Sequence, residues 1–339
     1  MDKSIILVTG AAGFIGYHLS KNLLKKGEKV IGLDNLNSYY EVELKKARLN
    51  KLGINDEQDL GYNSMVSSIK EKHFRFINLD ISDRENLTML FNSYEIKRVI
   101  NLAAQAGIRY SIDAPFSYVD SNLVGFSNIL ECCRNFNIEK LIYASSSSVY
   151  GDDKNLPFNE KSINIKQKSF YAVTKRSNEL MASCYSDLYN IKAVGLRFFT
   201  VYGPWGRPDM APMLFANAIL NNEEIKVFNN GNLFRDFTFI DDIINGIVAT
   251  LSVKLNSKHT LLNIGYGSPI NLLEFIGLLE ESLGKKAQKR LVSMQPGDVY
   301  KTWADISKLK SLTTYKPQID LKTGINKFVD WYLKYVHNN

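Results

Sequence analysis

The sequence predicts an α/β fold, a doubly wound parallel sheet followed by a smaller α/β domain. Three observations point there. Short, almost continuously apolar runs alternate with amphipathic helical patterns as far as about Thr200, a glycine-rich turn joins the first run to the first helix, and the proline-rich block "VYGPWGRPDMAP" then breaks the alternation. Strands that are apolar on both faces and spaced by helices belong to a sheet covered on both sides.

Taken in order, the runs "IILVT", "KVIGLD", "FRFIN", "RVINL", "LIYAS" and "AVGLRF" predict strands at Ile5–Thr9, Lys29–Asp34, Phe74–Asn78, Arg98–Leu102, Leu141–Ser145 and Ala193–Phe198. Apolar residues recurring at helical spacing predict helices at Phe14–Lys26, Arg84–Tyr94, Pro115–Phe136 and Phe170–Leu188. The polar, tyrosine-rich region Asn35–Lys72 reads as an excursion with a helical start, or as a surface loop. Residues 1–199 are expected to form a nucleotide-binding domain to which 236–265 return. Residues 200–235 and 266–339 are expected to form a second domain that caps the strands' carboxyl ends.

Composition narrows the class. The 339 residues are 45% hydrophobic and 23% charged, within the ordinary globular range. No apolar run approaches the roughly 18 residues of a membrane helix, so a cytoplasmic protein with no membrane partner is expected. The net charge of +7 is spread without like-charge blocks, which argues against a nucleic-acid partner and suits a polyanionic small molecule. Cys132, Cys133 and Cys184 cannot staple a chain this long, and His18, His73, His259 and His337 show no metal-ligand spacing, so no metal is expected. Cys132, Cys133, Trp303, Trp331 and Tyr332 read as packing residues.

The chemistry lies in a few short motifs. In "VTGAAGFIGYHL", Gly10, Gly13 and Gly16 allow a tight turn, and the helix opening at Phe14 and Ile15 offers backbone amides to a pyrophosphate. Asp34, followed by Asn35, ends the second strand about twenty residues on; a carboxylate there accepts from ribose hydroxyls and repels a 2′-phosphate, which favours NAD. Asp80 and Ile81 follow the third strand where an adenine would be framed, and Leu102, Ala103 and Ala104 keep the fourth strand's end small. Tyr171 and Lys175 stand at i, i+4 on one helix face. Alone, such a pair is most often a packed tyrosine and a solvated lysine. With an NAD fingerprint upstream and the run "ASSSSVYG" ending the fifth strand, it can act as a phenol tuned by an ammonium, with a serine holding the substrate oxygen.

Together TGxxGxxG, the strand-end serines and YxxxK resemble the extended short-chain dehydrogenase/reductase family of NAD-dependent sugar-nucleotide epimerases and dehydratases, whose core is of Rossmann type. The likeness runs over nearly the whole chain, and "NLAAQAGIRYS", "YASSSSVYG", "LRFFTVYGPWGRPDM", "RDFTFIDD" and "MQPGDV" are most similar to the UDP-glucuronate 4-epimerase branch. The resemblance implies that Tyr171 is the base, that Lys175 activates it and anchors the ribose, and that Ser146 is the catalytic hydroxyl. Ser147 and Ser148 then stand where dehydratases carry Asp and Glu, and the second of these positions is typically Glu in decarboxylases. With no acid to drive elimination, the chemistry stops at oxidation and reduction of one sugar carbon through a 4-keto intermediate.

By the same likeness Arg235 and Asp298 contact the diphosphate and the uridine ribose. Thr200 and Arg207 are expected at the sugar carboxylate, with Arg109 as a further candidate, and Gln295 stands where many glucose-type epimerases have arginine. The family also implies a homodimer through the helices at Pro115–Phe136 and Phe170–Leu188. A UDP-glucose or UDP-N-acetylglucosamine 4-epimerase, or a non-catalytic NAD sensor on the same fold, remain as alternatives.

Overall fold

A computed structural model of the chain describes residues 4–55, 57–162, 166–294 and 299–337. In chain order its strands are β1 (Ile5–Thr9), β2 (Lys29–Asp34), β3 (Met65–Ser67), β4 (Phe74–Asn78), β5 (Ile96–Asn101), β6 (Lys140–Ser146) and β7 (Ala193–Phe198). They continue with β8 (Thr200–Tyr202), β9 (Glu224–Phe228), β10 (Phe234–Arg235), β11 (Phe237–Phe239), β12 (His259–Ile264), β13 (Ile270–Asn271) and β14 (Gln288–Val292). The α-helices are α1 (Phe14–Lys25), α2 (Val42–Lys51), α3 (Arg84–Ser93), α4 (Tyr110–Asp113), α5 (Pro115–Tyr118) and α6 (Phe126–Asn135). After these come α7 (Phe170–Tyr189), α8 (Ala211–Leu220), α9 (Ile240–Ser252), α10 (Leu272–Leu283), α11 (Ser307–Leu312) and α12 (Leu321–His337). None of the described helices is long and apolar enough to cross a membrane.

Eight strands form one sheet in the order β12-β7-β6-β5-β1-β2-β4-β3. β1 runs parallel to β2 on one side and β5 on the other, β2–β4 and β5–β6 are also parallel, and β3 is antiparallel to β4. The chain leaves β1 toward β2 and later returns on its other side to β5. The strand order therefore reverses at β1, and doubly wound Rossmann-type sheets open a nucleotide crevice at such a point. Helices cover the sheet because its strands are apolar on both faces. Leu7, Ile31, Val99 and Leu141 share one core cluster with Leu87, Phe126, Ile129 and Leu130.

The chain divides into two compact units. The first takes the chain up to Val149 with Ser169–Arg197 and Ile247–Leu262, and the second takes Tyr150–Lys168, Phe198–Gly246 and the chain from Asn263 on. This differs from the expected boundaries, since 150–168 and 236–246 group with the second unit. For the first of these segments the cause is a local network. Tyr150 stacks on Phe158 at 4.5 Å and donates to Asn263 Oδ1 (2.6 Å), and Asn263 Nδ2 donates to the Phe158 carbonyl (2.7 Å).

Two elements of the first unit depart from the sequence expectation. The single helix expected over Pro115–Phe136 is instead α5, a π-helical turn (Val119–Gly125) and α6. The wider turn frees the Asn122 carbonyl to accept from Asn178 Nδ2 (2.6 Å), a bond that an α-helical ladder would compete with. The Asn35–Lys72 excursion is ordered into α2 and β3, but the helix begins at Val42 rather than at the start. Cys132 and Cys133 are buried, and burial pushes the Cys132 thiol up to about 12, as packing residues should behave.

The second unit is built on three two-stranded ribbons, β8 with β11, β10 with β13 and β9 with β14. Phe237 stacks on Phe275 at 4.4 Å, and Tyr202 meets both edge-on. Tyr332 is buried, but Trp331 and Trp303 are only half-buried. Trp331 lies in a partly exposed aromatic group with Trp205 (5.3 Å) and Tyr335 (5.2 Å), and Lys301 Nζ lies over Trp303 at 4.5 Å, so these indoles are not the core residues expected.

Candidate active site

The turn after β1 requires its glycines. Gly10 has φ +69°, and a Cβ there would come within 2.9 Å of the Ala103 amide nitrogen; at Gly16 a Cβ would meet the Gly10 carbonyl oxygen at 2.0 Å. The backbone of Leu102 and Ala103 thus runs directly against the loop. Thr9 Oγ1 fixes that approach, donating to Asn101 Oδ1 (2.7 Å) and accepting from Ala103 N (3.1 Å). Helix α1 starts at Phe14 after Gly13 with no side-chain cap and no acid in its first turn. Its amide ends are therefore left to an anion, which is the donor set a dinucleotide pyrophosphate needs.

Asp34 is buried, with Oδ2 accepting from Ala12 N (3.1 Å) and Oδ1 from Leu36 N (2.9 Å). A carboxylate has about four acceptor sites, so one per oxygen is left for a ribose diol, and the residues fit NAD. Asn35 Nδ2 donates to Asp80 Oδ2 (2.6 Å), while Asp80 Oδ1 accepts from Ser82 N and Oγ at 2.8 and 2.7 Å. Ile81 is buried against Gly125, whose Cβ would meet it at 2.6 Å, and Ala104 is half-buried. Phe14 is buried edge-on to His18, and Ile15 is half-buried. Arg48, buried on α2, donates from Nη1 to the Ala12 carbonyl (2.9 Å) and to Tyr40 Oη (2.7 Å), bracing the glycine turn.

Strand β6 and helix α7 bring the serines and the Tyr/Lys pair together. Ser169 caps α7 by accepting from Ala172 N (3.1 Å), which sets Tyr171 in the first turn. Tyr171 is half-buried, with Tyr118 edge-on at 6.1 Å and Lys175 Nζ 6.0 Å from its ring centre. The Lys175 ammonium is buried and donates to the Ala144 carbonyl (2.9 Å); burial pulls it down to about 8. Ser146 Oγ donates to Ser148 Oγ (3.2 Å) and accepts from Ser148 N (3.1 Å), so the strand end closes on itself as a compact hydroxyl pair, with Ser147 between them.

Three supports were not among the expected site residues. Asn122 clamps the Gln105 backbone from both sides, Oδ1 accepting from its N–H (2.8 Å) and Nδ2 donating to its carbonyl (3.0 Å), and it also donates to Thr174 Oγ1 on α7 (3.0 Å). Gln105 Nε2 is itself buried with no partner among the described residues. Tyr118 Oη donates to the Gly107 carbonyl (2.6 Å), and Glu179 sits a further i+4 step along α7 from Lys175. Only Glu179 left a sequence signal, the repeated spacing Tyr171, Lys175, Glu179. Arg109 is exposed at the start of α4.

The remaining expected residues lie in the second unit. Thr200 N donates to the Asp236 carbonyl (3.1 Å), and Arg235 Nη1 donates to the Phe234 carbonyl (2.9 Å). The Arg207 guanidinium is forked onto Asp209, Nε to Oδ1 (3.0 Å) and Nη2 to Oδ2 (2.5 Å), so its planar face is already engaged by a carboxylate of its own loop. Gln295 and Asp298 lie outside the described residues.

Residues 6–265 match the NAD dependent epimerase/dehydratase family. The chain belongs to that family. Within it, the chain is 41% identical to the UDP-glucuronate 4-epimerase of Thermodesulfobacterium geofontis, with 96% of this chain and 95% of that protein covered. Its fold matches the crystal structure of UDP-glucuronic acid 4-epimerase from Bacillus cereus in complex with UDP-glucuronic acid and NAD at a TM-score of 0.87, with 36% identity over 98% of this chain and 99% of that one. UDP-glucose 4-epimerase from Thermotoga maritima with UDP-glucose matches at a TM-score of 0.85 with 28% identity, covering 98% and 99%. The glycine turn and the Tyr171–Lys175 face thus lie in one unit of a chain of that family.

Proposed function

We propose that the chain is an NAD-dependent UDP-glucuronate 4-epimerase, interconverting UDP-glucuronate and UDP-galacturonate. The observation that carries this reading is the hydroxyl pair Ser146 and Ser148 at the end of β6, whose Ala144 carbonyl takes the buried Lys175 ammonium of the Tyr171–Lys175 face, with no carboxylate at Ser147 or Ser148 to eliminate water. NAD, when bound, supplies reversible hydride acceptance at the sugar's C4. The protein's part is proton handling and orientation. Tyr171 Oη takes the proton of the C4 hydroxyl and returns it to O4 after the 4-keto sugar has turned its other face to the hydride. The Lys175 ammonium stabilises the phenolate, and Ser146 Oγ holds O4 through both half-reactions. Ser147 and Ser148 bind and orient the sugar.

NAD is then held through Gly10, Gly13, Gly16, Asp34 and their neighbours, and Thr200, Arg207, Arg235 and Asp298 are the proposed nucleotide-sugar contacts. At Arg207 the substrate carboxylate exchanges with Asp209, an exchange between like groups that a guanidinium fork allows. We assign the chain to the cytoplasm as a homodimer, with a role in supplying a uronate donor for polysaccharide synthesis. The apolar side chains exposed on α7, Val173, Leu180 and Leu188, support the homodimer. The Arg207–Asp209 pair also favours a second reading, UDP-glucose 4-epimerisation, because a self-satisfied arginine asks nothing of the sugar's C5 substituent.

Proton NMR of UDP-glucuronate with purified protein and no added NAD tests the assignment. Growth of UDP-galacturonate signals is the expected result. Turnover of UDP-glucose alone would move the chain to the second reading, and UDP-pentose signals would mean that the serines do not prevent loss of CO₂.

A further inference from the structure

The face of α7 that presents Tyr171 and Lys175 carries a third residue at the next helical step, Glu179. Its side chain is 1% exposed and ties three elements together. It accepts from Ser145 Oγ on β6 (2.6 Å), from Arg197 Nε and Nη2 on β7 (2.7 and 2.9 Å), and from Arg176 Nη1 on its own helix (2.7 Å). Ser145 immediately precedes Ser146. Lys175 binds the carbonyl of Ala144, one residue earlier still. Helix α7 therefore grips the last residues of β6 at two successive positions, just before the strand turns into the hydroxyl wall.

We propose that Glu179, acting through Ser145, is a positioning residue that sets the register of Ser146 against Tyr171 and Lys175. The inference rests on the reading above, in which Ser146 holds the oxygen that Tyr171 deprotonates. Two parts of the geometry support it. The Arg197 fork already compensates the Glu179 charge, so the Ser145 bond is not needed to keep the carboxylate satisfied. That bond also reaches the one strand residue whose displacement moves Ser146 directly, and a hydroxyl holding a reacting atom tolerates only about half an ångström of drift. Glu179 itself touches neither sugar nor cofactor in this arrangement.

The test compares Ser145→Ala and Ser145→Thr in the full chain. In the alanine variant kcat on UDP-glucuronate is expected to fall about tenfold, as misplaced reacting groups do, while KM, bound NAD per chain and melting temperature stay at wild-type values. The threonine variant, which keeps the hydroxyl on a β-branched side chain suited to a strand, is expected to restore kcat. Backbone amide exchange over 145–150 should quicken in the alanine variant alone. Unchanged kcat in Ser145→Ala overturns the proposal, as does a loss that tracks melting temperature or one that threonine does not rescue. If the wild type acts on UDP-glucose instead, the same comparison is read on that substrate. If it acts on neither, the functional reading fails separately, and unchanged exchange over 145–150 is then what overturns the clamp. Glu179→Gln, which strips Arg197 of its counter-charge, is the harsher variant, and the Ser145 pair decides the matter if it does not fold.

Discussion

Glu179 in the first unit and Asp236 in the second are both buried carboxylates, and they are satisfied in opposite ways. Glu179 faces charge, the Arg197 fork and Arg176, with the neutral Ser145 hydroxyl beside them. Asp236 in the second unit faces only neutral donors, accepting from Tyr266 N and Thr238 Oγ1 on one oxygen (2.8 and 2.9 Å) and from Gly267 N and Ala304 N on the other (2.9 and 3.1 Å). Burial alone pushes Glu179 upward, but its bonds and the Arg197 charge outweigh that and hold it below the ordinary range. At Asp236 burial wins over four neutral hydrogen bonds, and the carboxyl is raised. Neutral donors satisfy geometry, and a guanidinium is needed to offset the loss of water.

The largest effect should come from Glu179→Ala. It removes the carboxylate that the buried Arg197 guanidinium grips with two bonds, and a cost of roughly 3–5 kcal/mol in urea unfolding is expected. Next is Lys175→Met, which removes the cation beside Tyr171 and should lower kcat about 10²-fold. Because burial sets the Lys175 ammonium to about 8, kcat/KM should decline as pH rises past that value. A permanently charged Lys175→Arg variant should lack this limb. Asp236→Asn should cost roughly 1–3 kcal/mol, the scale of buried hydrogen bonds disturbed without stranding a charge. Arg176→Ala, on a partly exposed side chain, should cost under about 1 kcal/mol.

The pH dependence of the two carboxylate variants sharpens the contrast, because the signs are opposite. Glu179 has a lowered folded pKa, so its stabilisation is present above the unfolded value of about 4.3 and is lost as pH falls through the folded one. Asp236 has a raised folded pKa, so its contribution is full below about 3.9 and is lost as pH rises through the folded value. Unfolding free energies measured across acid pH should therefore show the Glu179→Gln deficit shrinking toward low pH and the Asp236→Asn deficit shrinking toward neutrality. Parallel slopes would break the distinction.

What the sequence revealed and what it hid follow from distance along the chain. The glycine turn, Asp34 and the Tyr171–Lys175 face are local patterns, each set by a few residues close together in sequence. The strands of the sheet were equally legible, since their apolar runs are continuous. Asn122 and Arg197 were not, because their partners Gln105, Thr174 and Glu179 are brought to them only by the fold. The π-helical turn was hidden because its flanks keep an α-helical apolar pattern, and only the extra acceptor at Asn122 distinguishes it. Arg207 was expected at the sugar carboxylate, and the fork that Asp209 already fills, two residues on, was not foreseen.

The placement of the tryptophans has a spectroscopic consequence. All three indoles, Trp205, Trp303 and Trp331, belong to the second unit, while the first contains only tyrosine among the strongly absorbing residues. Intrinsic indole emission is then a private signal of the Asp236 unit, and Trp205 and Trp331 lie close enough at 5.3 Å for their emission to report the integrity of that aromatic group. Loosening of the Glu179 unit would be silent in that channel and visible in tyrosine near-ultraviolet circular dichroism. One denaturation series, followed by both optical probes, would separate the two anchors without any label.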